Sequence, residues 1–449
     1  MREDDLRACL RVLSELAEAP PDDPDRIRVQ RAVNAFVKRI REDERARARR
    51  RRSEADAALL AAPPIDIANR EEPLTVAAAR VEKPATGAGK RVEGGPVVPR
   101  PVAGPARRIA GLVRCYACKA HFRDVDAFYE RLCPVCADEN RQRREARTDL
   151  TGRRALVTGG RVKAGFELVL KLLRDGAAVT ALTRFPHDAR RRFAAVRDRD
   201  AWQDRLAVTG MDLRDIPAVV RWCDDQVAAG EPLDILVNLA AQTVRPPAES
   251  YAALLAAERA EAALTAGPVG HELVLPGAVD VSGLLPDPSP ANSWTRLVHE
   301  IDPVELLEVQ LINVTAPFLL LGRLRPLMQR SPCPRRYVVN VSAVEGQFDR
   351  TYKGPEHPHT NMAKASLNML TRTSAAELAA HGIYVTSVDP GWFSDQQPDP
   401  DRRRRAAAGF RVPLDAVDAA ARVYDPIVRG ERGDPPYGCL LKDYRVAPW

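Results

Sequence analysis

Near the start of the chain, apolar residues recur twice at helical spacing. Leu6, Leu10, Leu13 and Leu16 form one stripe within residues 3–19. The stretch "PPDDP" interrupts it, and Asp23 followed by Pro24 has the make-up of an N-cap and a first helical position. Val29, Val33, Phe36, Val37 and Ile40 then mark a second stripe. Two short amphipathic helices bury little between themselves. Residues 1–61 are therefore predicted to form a helical hairpin with a basic tail, packed on another part of the protein or on a second copy. Residues 62–108 lack periodicity and are rich in Pro, Ala and Gly, as flexible linkers are. From about residue 152 strand-like runs alternate with helical stretches: "RALVTG", "AAVTALT", "RLAVTGMD", "DILVNLA", "RRYVVNVS" and "YVTSVDPG". The alternation predicts an α/β domain over 149–449, a parallel sheet with helices on both faces. Between about 245 and 300 the rhythm lapses into Ala-, Pro- and Gly-rich sequence, an insertion that either lies over a site or is a variable surface loop.

Composition changes this picture little. With 449 residues the chain has room for two or three domains, and 45% hydrophobic with 29% charged residues is ordinary for a globular protein. The net charge of +7 is local: "RARARRRR", residues 45–52, holds six arginines and accounts for all but one unit of it. Such a run can draw an acidic partner or nucleic acid, but a solvated helix end or linker is the simpler account. Nucleic acid is thus the less expected partner, since a binding surface needs more than one charge run. No run of about 18 apolar residues is present, so no membrane span is expected. No apolar signal core follows the N-terminus, and the expected location is the cytoplasm.

Cysteine usage adds a second small module over 109–148. Of eight cysteines, four fall in two CxxC pairs, Cys115 with Cys118 and Cys133 with Cys136, separated by fourteen residues. That spacing suits a tetrahedral metal in a reducing compartment better than disulfides. "ADENRQRREAR" after Cys136 reads as a helix, which puts the second pair at a helix start, as in a treble-clef or zinc-ribbon module. With all four places taken by sulfur, a structural Zn2+ is expected, with a role in folding or docking. His121 is the alternative ligand.

The segment "RALVTGGRVKAGFELVLKLL" sets an apolar strand, a Gly-bearing turn and a helix in order. Such a turn lets backbone N–H groups and a helix N-terminus face a pyrophosphate. Thr158, Gly159 and Gly165 resemble the TGxxxGxG fingerprint of the short-chain dehydrogenase/reductase family. Further matches are Asp212 after the third strand, Asn238 in "VNLAA", Asn313 in "LINVTAPF", Ser342 in "VNVSA", Lys364, and the "DPG" that contains Pro390 and Gly391. The resemblance implies a Rossmann-type doubly wound sheet and a nicotinamide nucleotide held by Thr158, Gly159, Gly160, Arg161, Lys163, Gly165, Thr183, Arg184, Asp212, Leu213, Asn238, Leu239, Ala240, Lys364, Pro390 and Gly391. Lys163 departs from the fingerprint, taking the place of its middle glycine; its ammonium either contacts a phosphate or crowds it. After the second strand, "ALTRF" offers no acid for the ribose hydroxyls, while Arg184 can pair a 2′-phosphate in bidentate fashion. NADP(H) is therefore favoured over NAD(H).

By the same resemblance, catalysis needs four parts. Ser342 would hydrogen-bond the substrate oxygen, Lys364 would hold the nicotinamide ribose, and Asn313 would support a relay water. The fourth is a tyrosine four residues before the lysine, and there the chain has Thr360. An aliphatic hydroxyl is far less acidic than a phenol, whose ordinary pKa is about 10. His359, Tyr352 and a water held by Ser342 and Asn313 are the substitutes within reach, with His357 two residues further back. Three functions remain open. The first is an NADP(H)-dependent oxidoreductase acting on a carbonyl or alcohol with an altered proton donor. The second is a catalytically silent NADP(H)-binding scaffold or redox sensor. The third is a nucleic-acid-associated regulator. The resemblance further implies a homo-oligomer paired through helices near 303–325 and 360–380. The N-terminal hairpin or the cysteine module could take a protein partner.

Overall fold

The computed structural model of the protein describes residues 2–61, 107–245, 251–264, 289–350 and 352–449. Helices α1 (Glu3–Ala17) and α2 (Pro24–Ala61) follow the two apolar stripes. Asp23 caps α2, its carboxylate accepting the Asp25 and Arg26 N–H groups, both at 2.9 Å. The stripe of α2 stops at Ile40, yet the helix runs on through the arginine run to Ala61. Arg and Ala are strong helix formers and need no apolar face to stay helical beside a stable first half. The stripes point outward: Leu10 is 56% and Phe36 63% exposed.

Strands β1 (Arg107–Arg114) and β2 (His121–Val125) pair antiparallel, and helix α3 (Pro134–Glu145) follows. The linker expected over 62–108 lies outside the described residues, apart from Arg107 and Arg108, which open β1. The β1–β2 register shifts between Arg108 and Val113, which frees N–H groups from the ladder. Asp56 of α2 takes two of them, those of Ala110 and Gly111, each at 2.8 Å. A buried cluster of Ile109, Phe122, Val125, Tyr129, Leu132 and three of the four cysteines forms the module's core.

The predicted parallel sheet is present. Strands β3 (Arg154–Thr158), β4 (Ala178–Thr183), β5 (Leu206–Gly210), β6 (Ile235–Asn238), β7 (Arg336–Val341), β8 (Ile383–Asp389) and β9 (Leu440–Lys442) lie side by side in the order β9-β8-β7-β6-β3-β4-β5. Strand β10 (Arg445–Ala447) adds antiparallel to β9. Because neighbouring residues on a strand face opposite ways, the central strands feed two cores. Val157, Val237 and Val339 meet α4 (Lys163–Arg174), α5 (Pro186–Ala194) and α12 (Ala416–Glu431) on one face. Leu156, Leu236 and Val338 meet α6 (Ile216–Ala229), α9 (Ala316–Arg330) and α10 (Pro358–Ala379) on the other. Strand order reverses between β3 and β6, and the crevice at their carboxyl ends is where a doubly wound sheet takes its ligands.

Of the insertion expected over about 245–300, residues 251–264 and 289–300 are described. The first contains α7 (Ala252–Leu264), whose Glu258 carboxylate accepts the His187 and Asp188 N–H groups at the start of α5. Helix α8 (Pro303–Gln310) runs through a π-helical turn, Leu311–Thr315, into α9. The joined helix, Pro303–Arg330, is the one described helix long and apolar enough to cross a membrane, with a mean hydropathy of 1.6. Counting uninterrupted apolar runs in the sequence does not detect it, because Glu305, Glu308, Gln310, Asn313, Thr315 and then arginines punctuate it. Its Ile312, Leu320, Leu324 and Leu327 pack into the second core instead. Helix α11 (Asp399–Ala407) completes the set.

Candidate active site

The crevice is built from strand ends. At the end of β3 the Thr158 hydroxyl accepts the Leu239 and Ala240 N–H groups, each at 3.0 Å, and so ties β3 to the loop after β6. Gly159 follows at φ +75°, where a Cβ would lie 2.9 Å from the Ala240 Cα. A Cβ on Gly165 would overlap the Gly159 carbonyl oxygen, so the first turn of α4 sits hard against the loop. Gly160 is held between Ala181 and Val169. Lys163, in the place of the fingerprint's middle glycine, keeps a glycine-like left-handed backbone at φ +51°. No side chain caps the N-terminus of α4. The Lys163 ammonium crosses the crevice to the Ser394 hydroxyl, 2.7 Å away, on the loop after β8.

Arg161 turns away from this turn. Its guanidinium is buried on Asp188 at 2.5 Å and over the Phe185 ring. Burial would raise the Asp188 carboxyl, but Arg192, Arg161 and Arg191 together hold it down at about 2. Arg184, one residue past β4, lies over the rings of Phe185 and Tyr251 at 5.4 and 5.3 Å. Among the described residues no carboxylate forms an ion pair with it. Thr183 accepts the Phe185 N–H. Asp212, after β5, is held by Arg214 at 2.6 Å, and Leu213 beside it is buried.

At the other side of the crevice, Ser342 follows β7, and Lys364 projects from α10 so that its ammonium donates to the Val341 carbonyl at 2.7 Å. Both residues are buried. A Cβ on Gly346 would meet the Lys364 backbone at 2.7 Å, so α10 packs directly on the turn that follows Ser342. Burial lowers the Lys364 ammonium to about 8, against the pull of Glu345 and Asp389. The buried face of α10 that carries Lys364 also carries His359 and Thr360, exposed by only 2% and 1%. Ser342 Oγ, Thr360 Oγ1 and both ring nitrogens of His359 are buried with no hydrogen-bond partner among the described residues. Buried polar atoms usually have a partner, so each of these is open to a ligand or a water. Burial, with His357 next to it, lowers His359 to about 4, so its ring is neutral near pH 7.

Asn313 lies in the π-helical turn, with its side-chain amide paired in both directions to the Gln242 backbone, at 2.8 and 3.0 Å. Tyr352, by contrast, is 74% exposed. His357 caps α10 at φ +43° and stacks on Trp294 with ring centres 4.0 Å apart, which closes the insertion's end over the helix start. Pro390 and Gly391 follow β8. Gly391 sits at φ +82°, and its N–H is accepted by Asp389.

Two features of the site lie mostly outside the motifs. One is a buried polar chain beneath it. Asn238 donates to Asn340 at 2.8 Å, Asn340 to the Thr371 hydroxyl at 2.9 Å, and Ser387 to the same hydroxyl at 2.8 Å. An asparagine inside each of two apolar strand runs, "ILVN" and "YVVN", is its only trace in the sequence. The other is Trp392, whose N–H donates at 2.8 Å to Tyr116 of the cysteine module.

In that module the four thiol sulfurs of Cys115, Cys118, Cys133 and Cys136 lie within 4.8 Å of one another, and Cys118 and Cys133 are 3.6 Å apart. Sulfurs at the corners of a tetrahedron with ~2.3 Å Zn–S bonds stand about 3.8 Å apart. The donor set and its spacing therefore fit a thiolate-bound Zn2+. Cys133 is the N-cap of α3, as the helix expected after Cys136 implies.

A family profile described as enoyl-(acyl carrier protein) reductase matches residues 289–411, the part that holds Asn313, Ser342, Thr360 and Lys364. An uncharacterized protein of Acanthamoeba polyphaga mimivirus is 34% identical over 337 residues, covering 70% of this chain and 71% of that protein. The rhamnolipids biosynthesis 3-oxoacyl-[acyl-carrier-protein] reductase of Pseudomonas aeruginosa is 27% identical over 284 residues, 60% of this chain and 82% of its own. Among solved structures, the Pseudomonas aeruginosa RhlG/NADP active-site complex is similar at a TM-score of 0.45 and 21% identity, over 65% of this chain and 96% of that one. The sheet order, the glycine turn and the Ser342–Lys364 arrangement fit the Rossmann-type fold that the sequence motifs imply, and residues 289–411 are similar to the enoyl-(acyl carrier protein) reductase family.

Proposed function

We propose that the protein is an NADP(H)-dependent oxidoreductase that interconverts a carbonyl and an alcohol without a tyrosine proton donor. The carrying observation is the set of partnerless buried atoms of Ser342, His359 and Thr360, at the strand end that the Lys364 ammonium touches and on the helix face it leaves. When bound, the nicotinamide supplies or accepts hydride. Ser342 holds the substrate oxygen by donating its hydroxyl proton, and Lys364 holds the ribose. His359 and Thr360 pass the proton through a water, with Asn313 supporting the relay. Arg184, stacked and without a carboxylate partner among the described residues, binds the 2′-phosphate. The carbonyl class accords with the 3-oxoacyl reductase among the relatives.

One observation favours a second reading, a nucleotide-binding scaffold or redox sensor without turnover: Thr360 offers no acid near working pH, and Lys364 already has an acceptor in Val341. Fluorescence titration with NADPH and NADH, followed by a panel of carbonyl substrates, separates the two. The expected result is tighter binding of NADPH, with turnover that Lys364→Ala lowers by about 10²-fold or more. Tight binding without turnover on any carbonyl supports the scaffold, and no binding of either nucleotide sinks both.

The four thiols hold a Zn2+ in this proposal, with no open position for chemistry. The chain also pairs with a second copy through the faces of α8, α9 and α10 that expose Val304, Leu307, Phe318, Met362 and Met369. Leu307→Glu with Phe318→Glu is then expected to convert a dimer to a monomer in analytical ultracentrifugation. A wild-type monomer at micromolar concentration would count against the pairing.

A further inference from the structure

Among the described residues the cysteine module reaches the nucleotide crevice around Tyr116, and the contact runs from its thiols to the phosphate turn in very few residues. Tyr116 stands between Cys115 and Cys118, inside the first CxxC turn. Its N–H is fixed by the Arg131 carbonyl at 2.8 Å, and the Cys115 N–H by Ala120 at 2.8 Å. The Tyr116 hydroxyl accepts the Trp392 N–H at 2.8 Å and lies 3.4 Å from where a Cβ on Gly391 would stand. The next residue, Phe393, packs on the module's own core beside Leu414. The residue after that, Ser394, receives the Lys163 ammonium of the turn after β3. Trp392, Phe393 and Ser394 thus lead in three consecutive steps from the module to the place where the resemblance puts a pyrophosphate.

The module's far end cannot swivel to absorb a change in the CxxC turn. Asp418, fully buried on α12, accepts from Tyr129 at 2.7 Å, Asn140 at 2.9 Å and Arg144 at 2.9 Å. Arg144 also reaches Asp415 at 2.7 Å. A rigid body clamped at one end and touching a loop at the other transmits its state to that loop.

We infer that Tyr116 is a positioning residue for the nucleotide loop 389–394, and that order in the four-thiol cluster and occupancy of the crevice are thereby coupled. The inference rests on the reading of the crevice as an NADP(H) site. Coupling between two sites is reciprocal, so metal in the cluster tightens nucleotide binding and nucleotide tightens metal binding by the same factor.

The test uses the full-length, zinc-loaded protein and Tyr116→Phe, which removes the hydroxyl and leaves the ring and thiols. One lost hydrogen bond to a backbone N–H corresponds to a weakening of NADPH binding by about five- to tenfold. Zinc content and thermal midpoint are expected to stay as in the wild type, and amide exchange in a 389–396 peptide of the nucleotide-free protein is expected to speed up. In the wild type, saturating NADPH is expected to lower the equilibrium transfer of zinc to a chromophoric chelator. That arm needs no variant, so a Tyr116→Phe protein that fails to fold does not leave the idea unexamined. Unchanged exchange in the 389–396 peptide, or unchanged zinc partition with NADPH bound, overturns the inference. A wild-type protein that binds no NADPH is a different result. It removes the nucleotide reading and the coupling with it, while exchange in the nucleotide-free variant still decides whether Tyr116 positions the loop.

Discussion

Thr360→Tyr is expected to raise NADPH-dependent reduction of a ketone by about 10²–10⁴-fold, the usual worth of a well-placed general acid. Thr360 sits on the buried face of α10, one turn before Lys364, with its hydroxyl partnerless. A phenol there would stand on the buried face of the helix that carries Lys364. Its ordinary pKa of about 10 falls when an ammonium lies within a few ångströms, and the Lys364 ammonium is one helical turn away. Steady-state kcat and KM on a ketone panel, with NADPH affinity measured alongside, read the outcome. A gain in kcat at unchanged nucleotide affinity means that the native pocket lacks an efficient donor. A fall in an existing kcat means that His359, through its water, already fills the role and that the pocket is shaped around a small side chain at 360. No change in either direction would sink the proposal that the proton enters at this helix face.

Cys136→Ser is expected to abolish stoichiometric zinc and to lower the thermal midpoint of the protein, or to add an early unfolding transition. Three sulfurs and a hydroxyl make a poorer tetrahedral donor set, and apparent zinc affinities of roughly 10–16 kcal/mol in small thiolate modules feed directly into folding. The module is too small to hold itself by its core, which counts ten buried residues including the three buried cysteines. One of the ten, Leu414, comes from the large domain, so the loss should spread there, to the loop that carries Phe393. Metal analysis and calorimetry on the same sample check this; a variant that retains one zinc per chain and an unchanged midpoint would falsify the four-thiol assignment.

The sheet was legible because its central strands are covered on both faces and read as nearly unbroken apolar runs, as in "ALVT" and "ILVN". The cysteine pairs were legible for a different reason: their chemistry fixes their spacing. The outward-facing stripes of α1 and α2 were legible as helices, but the length of α2 was not, because helix propensity in an Ala- and Arg-rich segment leaves no periodic mark. Nor could spacing show that Arg161 is claimed by Asp188 while Arg184 is not, since Asp188 lies four residues beyond Arg184 on a different element. The link from Tyr116 to Trp392 spans 276 positions of sequence and passes through one hydroxyl and one backbone N–H. A contact made by backbone leaves no residue preference at one of its two ends.

The chain of amides and hydroxyls from Asn238 through Asn340 to Thr371 and Ser387 has a consequence for how the chain reaches this state. The middles of strands β6, β7 and β8 are rich in valine, and several mispaired alignments would bury nearly the same oil. Sliding any one strand by a single residue would turn its polar group into the opposite hydrocarbon layer with nothing to bind. The ladder therefore acts as a proofreading device during assembly. It makes the misaligned sheets costly enough to dissolve, and leaves one alignment in which the crevice above it takes shape.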